Sequence, residues 1–288
     1  MPITVTHHTD PGCPWAYSAE PFIRALEWRY GAGLEWRTVV IGLAEDPQRY
    51  IDAGYTGLRM GQGYAWFRDR FGMPFAVAPR ERPVGTGLAC RHVVSARRQG
   101  YEAGEAVLRA LRFSWFCDPR PHDDPAVLAA VVRSVTGIDV DAVLAGLDDP
   151  AVEAAYQADR AEARSVLPPA TAQGKTAHTD GFERYTAPSL VFENGGKALI
   201  AAGWQPLAAY DVCIANLDPL LPQRGAAGPA ETLPEFPRGL TTCEVALLMS
   251  ERNDEPDLAV AEAALVELVS VGHARREPLG NDALWLPI

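Results

Sequence analysis

Residues 3–9 (ITVTHHT) alternate with a period of two, and their β-branched content predicts a strand. The period then lengthens. Ala19, Phe22, Ile23, Leu26 and Tyr30 stand at i, i+3, i+4, i+7 and i+11, one face of a helix over 14–30 that Gly31 and Gly33 stop. LEWRTVVIGL (34–43) returns to the strand pattern. Strand, helix and strand in that order make a βαβ unit, whose two strands run parallel through a right-handed crossover.

The stretch 44–85, rich in Gly, aromatics and Arg, predicts a long loop holding at most one helix. From Thr86 to Ser165 the apolar pattern is helical throughout. Ala103, Ala106, Val107, Ala110, Leu111 and Ser114 form one stripe, and Asp124-Pro125, Asp139 and Asp149-Pro150 are helix starts. A polar linker (168–181) precedes a hairpin in which SLVFE and KALIAAG flank Asn194-Gly195-Gly196. Pro206 to Leu217 predicts a closing helix. The expected organisation is an α/β domain over 1–220 with a helical insertion at about 55–166, a linker at 221–237, and a small module at 238–288. In that module a capping box (Thr241-Thr242-Cys243-Glu244) opens one helix, and a second follows over 258–271. Two short strands, 274–277 and 283–286, complete a winged-helix-like order.

The chemistry centres on Asp10-Pro11-Gly12-Cys13-Pro14-Trp15-Ala16-Tyr17, at the turn from first strand to first helix. Pro14 suits the first helical position, which makes Cys13 the N-cap. Unpaired N–H groups and the helix dipole there favour a thiolate, the reactive form of cysteine. A lone cysteine is ordinarily a buried, inert one; its placement at this turn is what argues for reactivity.

Cys-Pro-Trp-Ala after Asp10-Pro11 resembles the Cys-Pro-Trp-Cys active site of cytoplasmic DsbA-family thiol oxidoreductases, and Thr186-Ala187-Pro188-Ser189 resembles the cis-proline loop of that family. The resemblance spans roughly residues 1–220. It implies an α/β thioredoxin-like core, with Cys13 as catalytic nucleophile and Pro14, Trp15, Ala187 and Pro188 as substrate-binding residues. His8 and Asp10 are the candidates for tuning the thiol; because neighbouring strand residues face opposite sides, at most one of His7 and His8 should point to the core. The sequence departs from the family at Ala16, where the resolving cysteine belongs. One thiol cannot close an internal disulfide, so a mixed disulfide at Cys13 needs an outside thiol for its release.

Five cysteines (13, 90, 117, 213, 243) contain no C-x-x-C pair, and no histidine has a partner at metal-ligand spacing, so no metal site is expected. His92 reads as packing and His122 as part of a helix entry, while Arg80-Glu81-Arg82 reads as a solvated run. A formal charge of −11 over 288 residues disfavours nucleic acid and anionic membranes as partners. In the module, four arginines (Arg238, Arg252, Arg275, Arg276) face nine acids, which opposes DNA binding and leaves a packing or oligomerisation element, with a homo-oligomer among the expected states. No stretch has the length or apolarity to span a bilayer and no leader pattern opens the chain, so a cytoplasmic location is expected.

The function expected is a single-cysteine thiol-disulfide oxidoreductase or thiol transferase acting on a small thiol or disulfide. No cofactor is held tightly, and glutathione or mycothiol is the co-substrate. The alternatives are a transferase or isomerase for small hydrophobic molecules, similar to kappa-class glutathione transferases and 2-hydroxychromene-2-carboxylate isomerases, and a non-catalytic thioredoxin-fold scaffold that binds a protein.

Overall fold

The computed structural model describes residues 1–251 and 254–288, so Arg252 lies outside the described residues. Its central sheet has four strands. β1 (Ile3–Thr9) runs parallel to β2 (Leu34–Val40) and antiparallel to β5 (Ser189–Asn194), which pairs with β6 (Lys197–Ala201) across a turn at Gly195-Gly196. Both turn glycines have positive φ (56° and 77°), the conformation a two-residue hairpin needs.

Ile3, Val5 and Phe192 pack on one side against Ile23 and Leu26 of the helix Glu20–Tyr30 and against Tyr210 and Ile214 of the helix Leu207–Leu217. The insertion lies between β2 and β5 and carries its own core around Phe75, Val93, Leu111 and Phe116. Its helices Pro125–Arg133, Val140–Ala145 and Pro150–Ala163 are each capped by the aspartate expected, Asp124, Asp139 and Asp149 accepting from Ala126, Ala142 and Ala151 N–H.

The structure corrects several readings of the sequence. The helix 14–30 is two helices, Pro14–Ser18 and Glu20–Tyr30, broken at Ala19. Pro21 supplies no N–H, and its ring would meet the carbonyl four residues back in a continuous helix. The 44–85 stretch holds two helices, the longer being Gly57–Phe71, with Thr56 as N-cap and Gly72 in the left-handed conformation at its end. Two of its glycines are packing residues: a Cβ on Gly57 would stand 1.7 Å from the Arg80 carbonyl oxygen, and one on Gly61 2.8 Å from that of Ala78. The 168–181 linker contains the helix Pro168–Ala172 and the first strand of a hairpin, β3 (Thr176–Thr179), which turns at Asp180-Gly181 into β4 (Phe182–Tyr185). Part of the 221–237 stretch is also helical (Pro229–Thr232).

Arg80 is not solvated; it is buried and donates to the carbonyls of Trp115 and Arg120. His7 and His8 are both buried, since helices cover each face of the sheet.

The C-terminal module has the expected order: the helix Thr242–Leu248 with both halves of its capping box formed, the helix Leu258–Ser270, and three strands, β7 (Leu240–Thr241), β8 (Ala274–Leu279) and β9 (Asp282–Pro287), in the order β7-β9-β8. Val245, Leu247 and Trp285 join the core of Ile23 and Leu26, so the module completes the main core.

A buried charge cluster ties the same parts together. Arg109, on the helix Tyr101–Cys117, donates to both oxygens of Glu244 (2.7 and 2.8 Å), to Glu20 (3.2 Å) and to the Gly239 carbonyl (2.9 Å). Arg112 binds Glu20 and Thr9, and Arg24 binds Glu27 (2.7 Å) and Glu105 (2.9 Å). Burial pushes the Glu27 carboxyl up to about 8, against the pull of Arg24, with Glu105 and Glu20 adding to the rise.

Stability should peak near pH 6.5. Burial holds His8 and His122 down at about 4. Their folded values lie below the unfolded value of about 6.5, so the stability they hold is present above pH 6.5 and is lost as pH falls toward 4. The loss is about 2 kcal/mol per histidine by pH 5. Glu27 works in the opposite sense: its folded value is raised, so its contribution is lost as pH rises from about 4.5 toward 8. Urea unfolding from pH 5 to 8.5 should trace the maximum, and His8→Gln should flatten its acid limb. A stability independent of pH below 6.5 would contradict this account of the histidines.

Candidate active site

Cys13 caps the helix Pro14–Ser18 in extended conformation (φ −88°, ψ 112°), with Pro14 as the first helical residue. The Ala187–Pro188 peptide is cis and faces it, and the Cys13 thiol donates to the Ala187 carbonyl at 3.3 Å. The loop carrying that carbonyl is pinned on both sides. Thr186 donates through its hydroxyl to the Lys175 carbonyl (2.9 Å). The Ser189 hydroxyl donates to the Thr186 carbonyl (2.6 Å) and accepts from Gly203 N–H (2.8 Å). The β3–β4 hairpin leads directly into this loop.

The helix N-terminus does not prevail over burial. Cys13 is buried, and loss of solvent pushes its thiol up to about 11; the N–H groups of Ala16 and Trp15 pull it down and Asp10 pushes it further up. The expected low-pKa thiolate is therefore replaced by a protonated thiol seated on a carbonyl. A five-residue helix offers a small dipole, whereas the covering loop removes nearly all water.

Asp10 is also buried and holds the turn together. It accepts from Gly12 N–H (2.9 Å), Leu43 N–H (2.8 Å) and the Thr86 hydroxyl (3.1 Å), and the Cys90 thiol donates to it at 3.5 Å. Burial raises its carboxyl above the usual range, with those hydrogen bonds opposing the rise. His8 lies elsewhere: its ring packs on Tyr185 (4.5 Å between centroids), and it lines a small separate cavity with Thr6, Arg37 and Glu162. Of the two tuning candidates, Asp10 is the one beside the thiol. All five cysteines are free.

Cys13, Pro14, Trp15 and Ala187 line a cavity of about 660 Å³. Trp15 is 40% exposed and meets Phe67, Phe71 and Trp66 edge-on at 5.1–5.8 Å, forming an aromatic rim. Tyr50, Tyr55, Arg59, Met60 and Arg184 complete the wall. Tyr50, Tyr55, Arg59, Met60 and Arg184 were not picked out in the sequence, although Arg59, Met60 and Gly63 share one face of a helix whose N-cap, Thr56, is a readable signal. None of the described residues lining the cavity is acidic.

A four-stranded sheet of this order, with a capping cysteine opposite a cis-proline loop, defines the thioredoxin class of folds. The family model of the DSBA-like thioredoxin domain matches residues 4–167, and the chain belongs to that family of oxidoreductases and isomerases. It is 23% identical over 259 residues to the ClpXP adapter protein SpxH of Shouchella clausii, covering 89% of this chain and 80% of that protein. Among solved structures it resembles a candidate protein disulfide isomerase from Nitrosomonas europaea (TM-score 0.57, 17% identity, 75% of this chain and 97% of that one). It also resembles the cytosolic disulfide reductase DsbM of Pseudomonas aeruginosa (TM-score 0.51, 19% identity, 76% and 98%). Among the described residues no helix is long and apolar enough to cross a membrane.

Proposed function

We propose that the protein is a single-cysteine thiol-disulfide oxidoreductase, with Cys13 as its nucleophile and a small anionic thiol as its co-substrate. One observation carries the reading. In a chain of net charge −11, the cavity that the Cys13 thiol lines has two arginines, Arg59 and Arg184, and no acid among its described lining residues. Such a wall suits a thiol that bears carboxylates, as glutathione does, better than the uncharged sugar body of mycothiol. The likeness in fold to a cytosolic disulfide reductase agrees with a cytoplasmic location.

The step needs no tightly held cofactor. The Cys13 thiol gives its proton to solvent, and the thiolate attacks one sulfur of a disulfide R–S–S–R. A Cys13–S–S–R bond forms and RS⁻ departs. An outside thiolate R′S⁻ then attacks the sulfur of R, R–S–S–R′ leaves, and Cys13 regains a proton. The Ala187 carbonyl holds the resting thiol, Pro14 and Pro188 fix the backbones on either side, and Trp15 walls off water.

Intact-mass measurement after incubation with glutathione disulfide tests the reading. One glutathione adduct should form on the protein and none at this site in Cys13→Ser. Iodoacetamide labelling of Cys13 should accelerate with pH to a midpoint well above 9, because a thiol near 11 is only about one part in 10⁴ thiolate at pH 7. A midpoint below 8.5 would show that the helix N-terminus outweighs burial after all.

If no adduct forms at any pH the fold withstands, the scaffold reading takes its place. The likeness to an adapter protein supports that reading, as do the exposed valines of the helix Leu258–Ser270 (Val260 at 54%, Val266 at 52%).

A further inference from the structure

By formal charge the cluster beneath the C-terminal module is one cation short, a difference that the proton held by Glu27 makes up. Four carboxylates, Glu20, Glu27, Glu105 and Glu244, meet three guanidinium groups, Arg24, Arg109 and Arg112. Glu105 is buried, its Oε1 accepts from Arg24, and its Oε2 has no hydrogen-bond partner. An unpaired carboxylate oxygen without water is costly unless something else meets it.

Glu105 and Glu27 border a cavity of about 760 Å³, between the helices Glu20–Tyr30 and Tyr101–Cys117 and the segment 235–239. Its lining residues are none of those around Cys13. Trp28, Trp36 and Tyr101 supply aromatic wall, and Arg224 stacks over Trp28 at 4.2 Å, so one of these rings already meets a cation.

We propose that this cavity is a second ligand site, which binds an organic ammonium group against the Glu105 and Glu27 carboxylates and its apolar body against the tryptophans. An anion fits poorly. The terminal nitrogens of Arg24 and Arg109 are taken by carboxylates or the Gly239 carbonyl. At the rim, Arg238 pairs with Glu102 (3.2 Å) and Arg224 with Glu235 (3.7 Å). The cluster's other unpartnered atom bordering this cavity, the donor Arg24 Nε, is not bonded to Glu105 Oε2; a water or a ligand oxygen would serve it. Glu27 faces Arg24, Glu20, Glu105, Arg109 and Tyr101, and holds its proton to about pH 8. An arriving ammonium therefore displaces that proton.

Calorimetric titration of the full chain with 2-phenylethylammonium tests the site, with 2-phenylethanol as the neutral isostere. Saturable binding is expected at pH 7, at least tenfold weaker for the alcohol. Its heat should change with buffer ionisation enthalpy in the sense of proton release. Glu105→Gln should weaken the ammonium at least tenfold and leave glutathione exchange at Cys13 unaltered. Should that variant fail to fold, Trp36→Leu, on the partly exposed wall, should weaken binding several-fold instead. Absence of saturable binding, equal binding of the alcohol, or an unchanged affinity in folded Glu105→Gln overturns the proposal.

Discussion

Ala16→Cys should turn the protein from one that retains a small thiol into one that expels it. Ala16 is the third residue of the helix that Cys13 caps, and its N–H points at the Cys13 sulfur. An N-cap and the third residue beyond it fall within the Cα separation a disulfide bridges, about 4.4–6.8 Å. A thiolate at 16 would attack the Cys13 mixed disulfide from inside the same turn, while the protein as it stands must wait for a thiol from solution. Release of glutathione from the adduct should be at least about tenfold faster, since the intramolecular partner is held at a high effective concentration. Thiol titration of the denatured product should show two thiols lost to an internal bridge. An adduct as long-lived as that on the parent chain would mean that the covering loop, rather than the missing cysteine, controls release.

Arg109→Ala should be the most damaging single substitution among the charged residues, at about 3–5 kcal/mol of stability. It leaves Glu244, which is fully buried, with no guanidinium, and it removes the contact to the Gly239 carbonyl that anchors the module. Arg109 also stacks on Phe113 at 4.5 Å, so packing is lost with the charge. The double variant Arg109→Met, Glu244→Leu should recover much of the loss, because an apolar pair of similar volume avoids burying an unpaired charge. Urea midpoints of the three proteins measure the loss and its recovery. If Arg109→Ala costs less than about 1 kcal/mol, the cluster is solvated in the native protein.

Much of this molecule could be read before its structure was known. The βαβ start, the three aspartate caps of the insertion, the Asn-Gly hairpin and the capping box at Thr241 are all local signals, set by residues a few positions apart, and each is found in place. What the sequence concealed is what depends on distant partners. Gly57 and Gly61 look like helix breakers until Arg80 and Ala78 lie against them. Arg109 and Arg112 look like the wet face of a helix whose apolar stripe lies on the other side; Glu244 of the module meets Arg109, and Glu20 and Thr9 meet Arg112. The site shows the same division. Cys13 and Pro14 are legible as a helix cap, but burial sets the thiol's acidity, and part of its cover comes from a loop 174 residues away that no local pattern reports.

The place of the C-terminal module in the main core bears on how the chain is made. A nascent chain presents Cys13 and the helix Glu20–Tyr30 early in synthesis, yet Ile23 and Leu26 find their last neighbours only when Leu240, Val245 and Trp285 emerge. Until then the apolar side of that helix faces water or whatever holds it, and the site above it rests on an unfinished support. Support for the turn that holds Cys13 is therefore complete only once residues 240–285 have joined the core of that helix.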